Sequence, residues 1–232
     1  ETFGPGNFSI RLTVRNSSYS YTTPDQSYFI NVSGAGSINQ ANGYGLLQNV
    51  PLSPANSIWR APIDTLPIMP ESARYIANSI PTCYMYIAPA FTINVVNSST
   101  KKQNYSVVTW PAFSDLTPVP IPDNPIIESM GGDHHVFIVD KDAHMSYEAY
   151  DNQRLANGTW KTYVTNTYDL TSNALPMPDG YWTADAAGLQ MLPGTLRYAE
   201  VLDGSVDHAI RVSFHISHTQ MEHVWPARAD GS

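Results

Sequence analysis

Glu148, Asp185, His208, His135 and Arg197 are the residues whose types could carry a reaction in this 232-residue chain. Cleaving a glycosidic bond takes two carboxyls flanking it, one of them holding a proton. Glu148 lies in Tyr147-Glu-Ala-Tyr150, a run with strand character. A strand carboxylate beside aromatic rings can meet a sugar held in a groove. Asp185 lies in Thr183-Ala-Asp-Ala-Ala-Gly188, whose small side chains let a ligand approach the backbone. Arg197 can orient a carboxylate of protein or substrate. Asp133 and Glu200 extend the set. The same residues have a plainer use: Asp133 and Asp185 capping turns, and Arg197 pairing with Glu200 or Asp185.

Histidine offers a second chemistry. His134 and His135 adjoin, and His208, His215, His218 and His223 follow. Neighbours on a strand point to opposite faces, so His134 and His135 do not share one ion easily. A metal site needs His135, His208 and a carboxylate such as Asp133 or Asp185 brought together. Polar or surface histidines are the default, so no metal and no cofactor are expected. A nucleophile elbow, a P-loop and a dinucleotide fingerprint are all absent from the sequence. Of the aromatic residues, Trp59, Trp110, Trp182 and Trp225 sit in apolar contexts and read as core.

The elements that must position these groups are mostly strands. Period-2 alternation runs through Phe8–Val14, Tyr28–Val32, Ala90–Val96, Tyr105–Trp110, His134–Asp140, Met145–Tyr150, Trp160–Tyr168 and Ala209–Ile216. Turn-like Asn97-Ser-Ser-Thr-Lys-Lys-Gln103 predicts a hairpin between the third and fourth runs. Lys141-Asp-Ala-His144 predicts another between the fifth and sixth. The helix candidate is 70–79, with Pro70 and Glu71 in its first turn and Ile76 and Ala77 on a buried face. The Pro-rich stretch Leu116–Pro125 reads as an extended crossing segment without a ladder of its own. Many short strands, many turns and little helix predict an all-β fold, a β-sandwich or jelly roll. Residues 1–52 read as N-terminal strands or an extension, and 53–232 as the sandwich body.

Composition narrows the setting. Charged residues are only 14% of the chain, and Ser, Thr, Asn and Tyr carry the polarity, as in extracellular proteins. The net charge is −8 and no basic stripe exists, which excludes a nucleic-acid partner. No apolar run of membrane-spanning length occurs. The one cysteine, Cys83, permits no internal disulfide and reads as a small buried residue. Asn7, Asn16, Asn31, Asn97, Asn104 and Asn157 head Asn-x-Ser/Thr sequons, about twice the number that chance placement gives. The chain opens at Glu1-Thr2, read as a mature or trimmed N-terminus.

An ordered set of words adds a resemblance. Asn56-Ser-Ile-Trp-Arg-Ala-Pro-Ile-Asp64 is followed by Gly132-Asp-His-His-Val-Phe-Ile-Val-Asp140, Tyr147-Glu-Ala-Tyr-Asp151 and Asp169-Leu-Thr-Ser-Asn-Ala-Leu175. Then come Trp182-Thr-Ala-Asp-Ala-Ala-Gly-Leu189, Pro193-Gly-Thr-Leu-Arg-Tyr-Ala-Glu-Val201, His208-Ala-Ile-Arg211 and Val224-Trp-Pro-Ala-Arg228. From about residue 53 onward this resembles a family of secreted bacterial and fungal proteins with no established activity. The family pattern has His after Trp-Pro-Ala-Arg where this chain has Ala229, and its members run on past this point. The resemblance implies secretion and supplies no reaction.

Two functions are therefore expected. The first is an extracellular or cell-surface glycoprotein with a structural or binding role, self-associating through edge strands or holding a polysaccharide. The alternative is a carbohydrate-active enzyme, hydrolase or lyase, working through Glu148, Asp185 and His208. Convergence of the candidate residues in one open groove favours the enzyme. Burial in paired salt bridges favours the binding protein.

Overall fold

The structure, a computed structural model, describes residues 50–79, 91–128, 132–174, 177–197, 200, 204–214 and 222–230, and the backbone of four strands nearer the N-terminus. Cys83, Asn31, His215 and His218 lie outside the described residues. The chain divides into two compact units, Glu1–Asn42 with Pro67–Pro89, and Gly43–Leu66 with Ala90–Ser232. The described residues are mostly strand and loop with one short helix, so the fold is all-β.

In the first unit, β1 (Gly6–Ile10) pairs antiparallel with β4 (Gln26–Ile30), and β2 (Thr13–Asn16) with β3 (Tyr19–Thr22). The alternation from Phe8 to Val14 is thus shared between two strands. Helix α1 (Ser72–Ser79) forms within the expected span. Its expected buried face does not: Ile76 is 45% exposed.

The second unit carries the candidate residues. Its four-stranded sheet has the order β11-β8-β7-β5. These are β5 (Ile93–Val96), β7 (Val136–Asp140), β8 (Met145–Tyr150) and β11 (Val164–Asp169). β7–β8 and β8–β11 pair antiparallel, while β5–β7 is parallel. β6 (Val107–Val108), β10 (Trp160–Thr162) and β9 (Gln153–Arg154) form a smaller sheet. The sequence of β7, Val-Phe-Ile-Val-Asp, is apolar on both sides of the pleat, and every residue in it is buried. Phe137 and Val139 enter one core, with Leu52, Leu170, Met191 and Leu192. Val136 and Ile138 enter the other, with Val96, Val119, Ile121, Tyr147 and Trp160. Each such apolar side chain contributes roughly 1.5–3 kcal/mol on burial. One face of the sheet is covered by β10 and the crossing segment. The other is covered by loops, including the 3-10 turn Leu192–Gly194.

Three expectations need correction. The hairpin between residues 90–96 and 105–110 does not form. The turn is there, with Thr100 N–H donating to Asn97 at 2.9 Å, but β5 pairs with β7 and β6 with β10. A turn reverses the chain locally and leaves each strand free to choose a partner elsewhere. The run from 160 to 168 breaks at Tyr163 into β10 and β11, which belong to different sheets. Residues 209–214 form no strand; Arg211 N–H instead bonds Gly194 at 2.8 Å. The hairpin at Lys141–His144 is present. The crossing segment has no ladder beyond the single Gln103–Val119 bridge. It buries Val119 and Ile121. Among the described residues no helix is long and apolar enough to cross a membrane.

Candidate functional site

Alternation along β8 sends Tyr147 into one core and Glu148 toward the loop layer on the opposite face. There Glu148 is 0% exposed. Its two carboxyl oxygens accept the N–H groups of Met191 at 2.8 Å and Leu192 at 3.0 Å, at the start of the 3-10 turn. Burial pushes the Glu148 carboxyl up to about 8, with the nearby Asp185 charge adding to the rise. The two N–H bonds and Arg211 pull the other way. Glu148 therefore holds a proton near neutral pH and uses its oxygens to cap a turn.

Asp185 is buried in its small-residue loop. One oxygen accepts Ala187 N–H at 3.1 Å, and the other takes Arg211 at 3.0 Å (Nε) and 2.5 Å (Nη2). The loop closes tightly around Gly188, where φ is +70°. Glu200 receives Arg197 through its guanidinium and its backbone N–H, and His208 Nε2 at 2.8 Å. Burial works to raise the Glu200 carboxyl, but Arg197 and His208 hold it below its ordinary range. His208 Nδ1 lies 2.8 Å from the Ala209 carbonyl.

His135 lies just before β7, in a separate cluster. Its Nδ1 is 2.6 Å from Glu128 Oε2 and its Nε2 is 3.1 Å from the Ala184 carbonyl. Both side chains of the His135–Glu128 pair are only 7% exposed. Exposed Asp133 completes a group whose ligand atoms lie within 4.8 Å of one another. His134, outside the strand and with φ of +49°, takes another direction, toward Asp151 at 3.1 Å.

The candidates thus sit in three separate pairings. Glu148 and Asp185 are near enough to interact electrostatically. Arg197 and His208 meet at Glu200, and His135 meets Glu128. Arg197 does not pair with Asp185; Arg211 does. Sequence reasoning missed Arg211 and Glu128 as partners. Arg211 stood in the word His208-Ala-Ile-Arg211, a signal that was available. Glu128 follows the Pro-rich stretch, and nothing local marked it.

A different feature lies on the surface. Trp110 contacts Tyr163, Trp182 and Tyr150 at ring-centroid distances of 5.2, 5.6 and 6.4 Å. Phe113 stacks on Trp182 at 5.3 Å and meets Tyr181 at 5.2 Å. These rings are half-buried, except Tyr181, which is exposed. The tryptophans Trp110 and Trp182, expected in the core, are rim residues. Beside them an open pocket of about 370 Å³ is lined by Tyr105, Pro111, Asp115, Thr117 and Thr165 among others. Pro111 and Phe113 share one 3-10 turn, so pocket and rings adjoin.

The described sequons are placed as follows. Asn7 and Asn16 fall in β1 and β2. Asn104 and Asn157 are exposed and Asn97 is half-buried. At Asn97 and Asn157 the sequon hydroxyls of Ser99 and Thr159 donate to the Asn Oδ1 at 2.5 and 2.7 Å.

Compared with family models, curated proteins and solved structures, the chain matches none of them.

Proposed function

We propose that this chain is an extracellular or cell-surface glycoprotein that binds polysaccharide without cleaving it. The observation that carries the reading is the continuous set of rings Trp110, Phe113, Tyr150, Tyr163, Tyr181 and Trp182 beside an open pocket of mixed lining that includes Asp115, Thr117 and Thr165. Aromatic faces stack on the apolar faces of sugar rings, and hydroxyl and carboxylate groups alongside can bond the sugar hydroxyls. The smaller sheet joining its Trp160 to the shared core supports a sandwich-type body presenting this face. The free Nδ2 side of Asn157 on an exposed turn suits a glycan.

The hydrolase or lyase reading is weaker on these contacts. Glu148, Asp185 and Glu200 are buried, and their oxygens are occupied by protein donors. A general acid must reach the leaving oxygen.

Affinity electrophoresis and calorimetry on a panel of soluble polysaccharides test the proposal. Wild type is expected to bind at least one without product release. Tyr181→Ala and Trp182→Ala are expected to weaken that binding about tenfold, or about 1.4 kcal/mol. Binding by neither wild type nor variants, or binding indifferent to both substitutions, overturns it. Turnover that Glu148→Gln abolishes would establish the enzyme instead.

A further inference from the structure

We propose that Glu128, Asp133 and His135 form a binding site for one divalent transition-metal ion of the Zn²⁺ class. A carbonyl oxygen only accepts, so His135 Nε2 must donate to Ala184, at 3.1 Å. Metal-bound histidines are held this way, with the ring nitrogen away from the metal donating to a carbonyl or carboxylate. That fixes Nδ1 as the ligand-bearing nitrogen. Nδ1 faces Glu128 Oε2 at 2.6 Å, and a carboxylate also only accepts. Something positive has to stand between them, a proton or a cation.

His208 meets a similar arrangement elsewhere in this molecule, with a counter-charge at hand. Its two nitrogens also face acceptors, but its carboxylate partner, Glu200, has the Arg197 guanidinium as counter-charge. Among the described residues no Lys or Arg pairs with Glu128 or Asp133. Two carboxylates and one imidazole are left to neutralise each other.

The donor set selects the ion. One imidazole nitrogen with carboxylate oxygens suits Zn²⁺ and its neighbours, whereas Ca²⁺ takes oxygen ligands in greater number. Around a tetrahedral Zn²⁺, adjacent ligand atoms stand about 3.3 Å apart, so the 2.6 Å contact must open by about 0.7 Å as the ion replaces the proton. Glu128 is steadied for this by the His135 backbone N–H, at 3.2 Å. Asp133 is exposed and free to swing in. One proton leaves for each ion bound.

The test uses the full chain, stripped with a chelator and titrated with ZnCl2 by calorimetry in buffers of differing ionisation enthalpy. The expected result is one equivalent of Zn²⁺, with net proton release. Asp133→Asn is expected to weaken uptake at least tenfold with an unchanged melting curve, because that side chain is on the surface. Glu128→Gln is expected to abolish uptake, whereas Cys83→Ser and His223→Gln leave it intact. No stoichiometric uptake, uptake indifferent to Asp133→Asn, or tighter binding of CaCl2 than of ZnCl2 overturns the proposal. Polysaccharide plays no part in this readout, so the site stands or falls separately from the binding function above.

Discussion

Glu148 shows how a residue chosen for its reactivity can be kept for its hydrogen bonds. Its folded-state carboxyl titrates at about 8 against an ordinary 4.5, so the folded chain holds a proton that the unfolded chain has lost between those values. Stability therefore falls as pH rises through that window and levels off above it. Urea unfolding at pH 5, 7 and 9 should show this decline. In Glu148→Gln the decline should flatten. At pH 5 the variant should be less stable by about 1–3 kcal/mol, because its amide NH2 faces the backbone N–H of Met191 or Leu192. At pH 9 the difference should shrink, since Gln carries no charge to bury. A variant equal to wild type at every pH would mean that the two N–H bonds stabilise nothing. The strand position of Glu148 was legible in the sequence. Its burial was not, because alternation says which residues share a face and not whether loops cover that face.

Loop elements impose their own constraints, and Gly188 bears the clearest one. A Cβ there would lie 2.7 Å from the Tyr181 carbonyl and 2.8 Å from Arg228 Cβ, at a φ of +70° that side chains rarely adopt. Gly188→Ala should cost more than about 1 kcal/mol in thermal unfolding. The segment at 222–230 is also bonded to the Gly188 loop, Arg228 N–H reaching the Ala187 carbonyl at 2.8 Å. It carries a pH-sensitive contact as well. His223 is raised above its ordinary value by its bond to Asp230 at 2.6 Å, with Asp179 helping. A raised histidine stabilises most below its unfolded value and loses that contribution as pH rises through its folded one. Hydrogen-exchange protection of 222–230, corrected for intrinsic rates, should therefore fall above about pH 6.5. His223→Gln should remove the step. The Lys141–His144 hairpin was readable from the sequence because turn and strands are contiguous. The pairing of β5 with β7 was not, because a parallel partner lies a long crossover away.

At the scale of the whole second unit, loops rather than strands cover one face of the four-stranded sheet. Phe137 and Val139 are dry because Met191, Leu192 and Ala184 lie over them. Those three are held by Glu148, by Asn166, which accepts Ala184 N–H at 2.9 Å, and by the Asp185–Arg211 pair. The covering loops are then part of the core, and their loss exposes the central strand. Removing one partner of a buried pair leaves the other uncompensated, at about 3–5 kcal/mol. Arg211 keeps 27% of its side chain in water, so the cost of Asp185→Ala should be smaller, about 2–3 kcal/mol. The form of the transition discriminates more than its size. Calorimetry of Asp185→Ala should show the main unfolding peak of the unit moved down as one. An early separate transition, with the main peak unmoved, would mean that the loops are an ornament on a self-sufficient sheet. The entry of Val136 and Ile138 into one core and of Phe137 and Val139 into the other argues for the single peak, since neither face of β7 can be uncovered without wetting half of that strand.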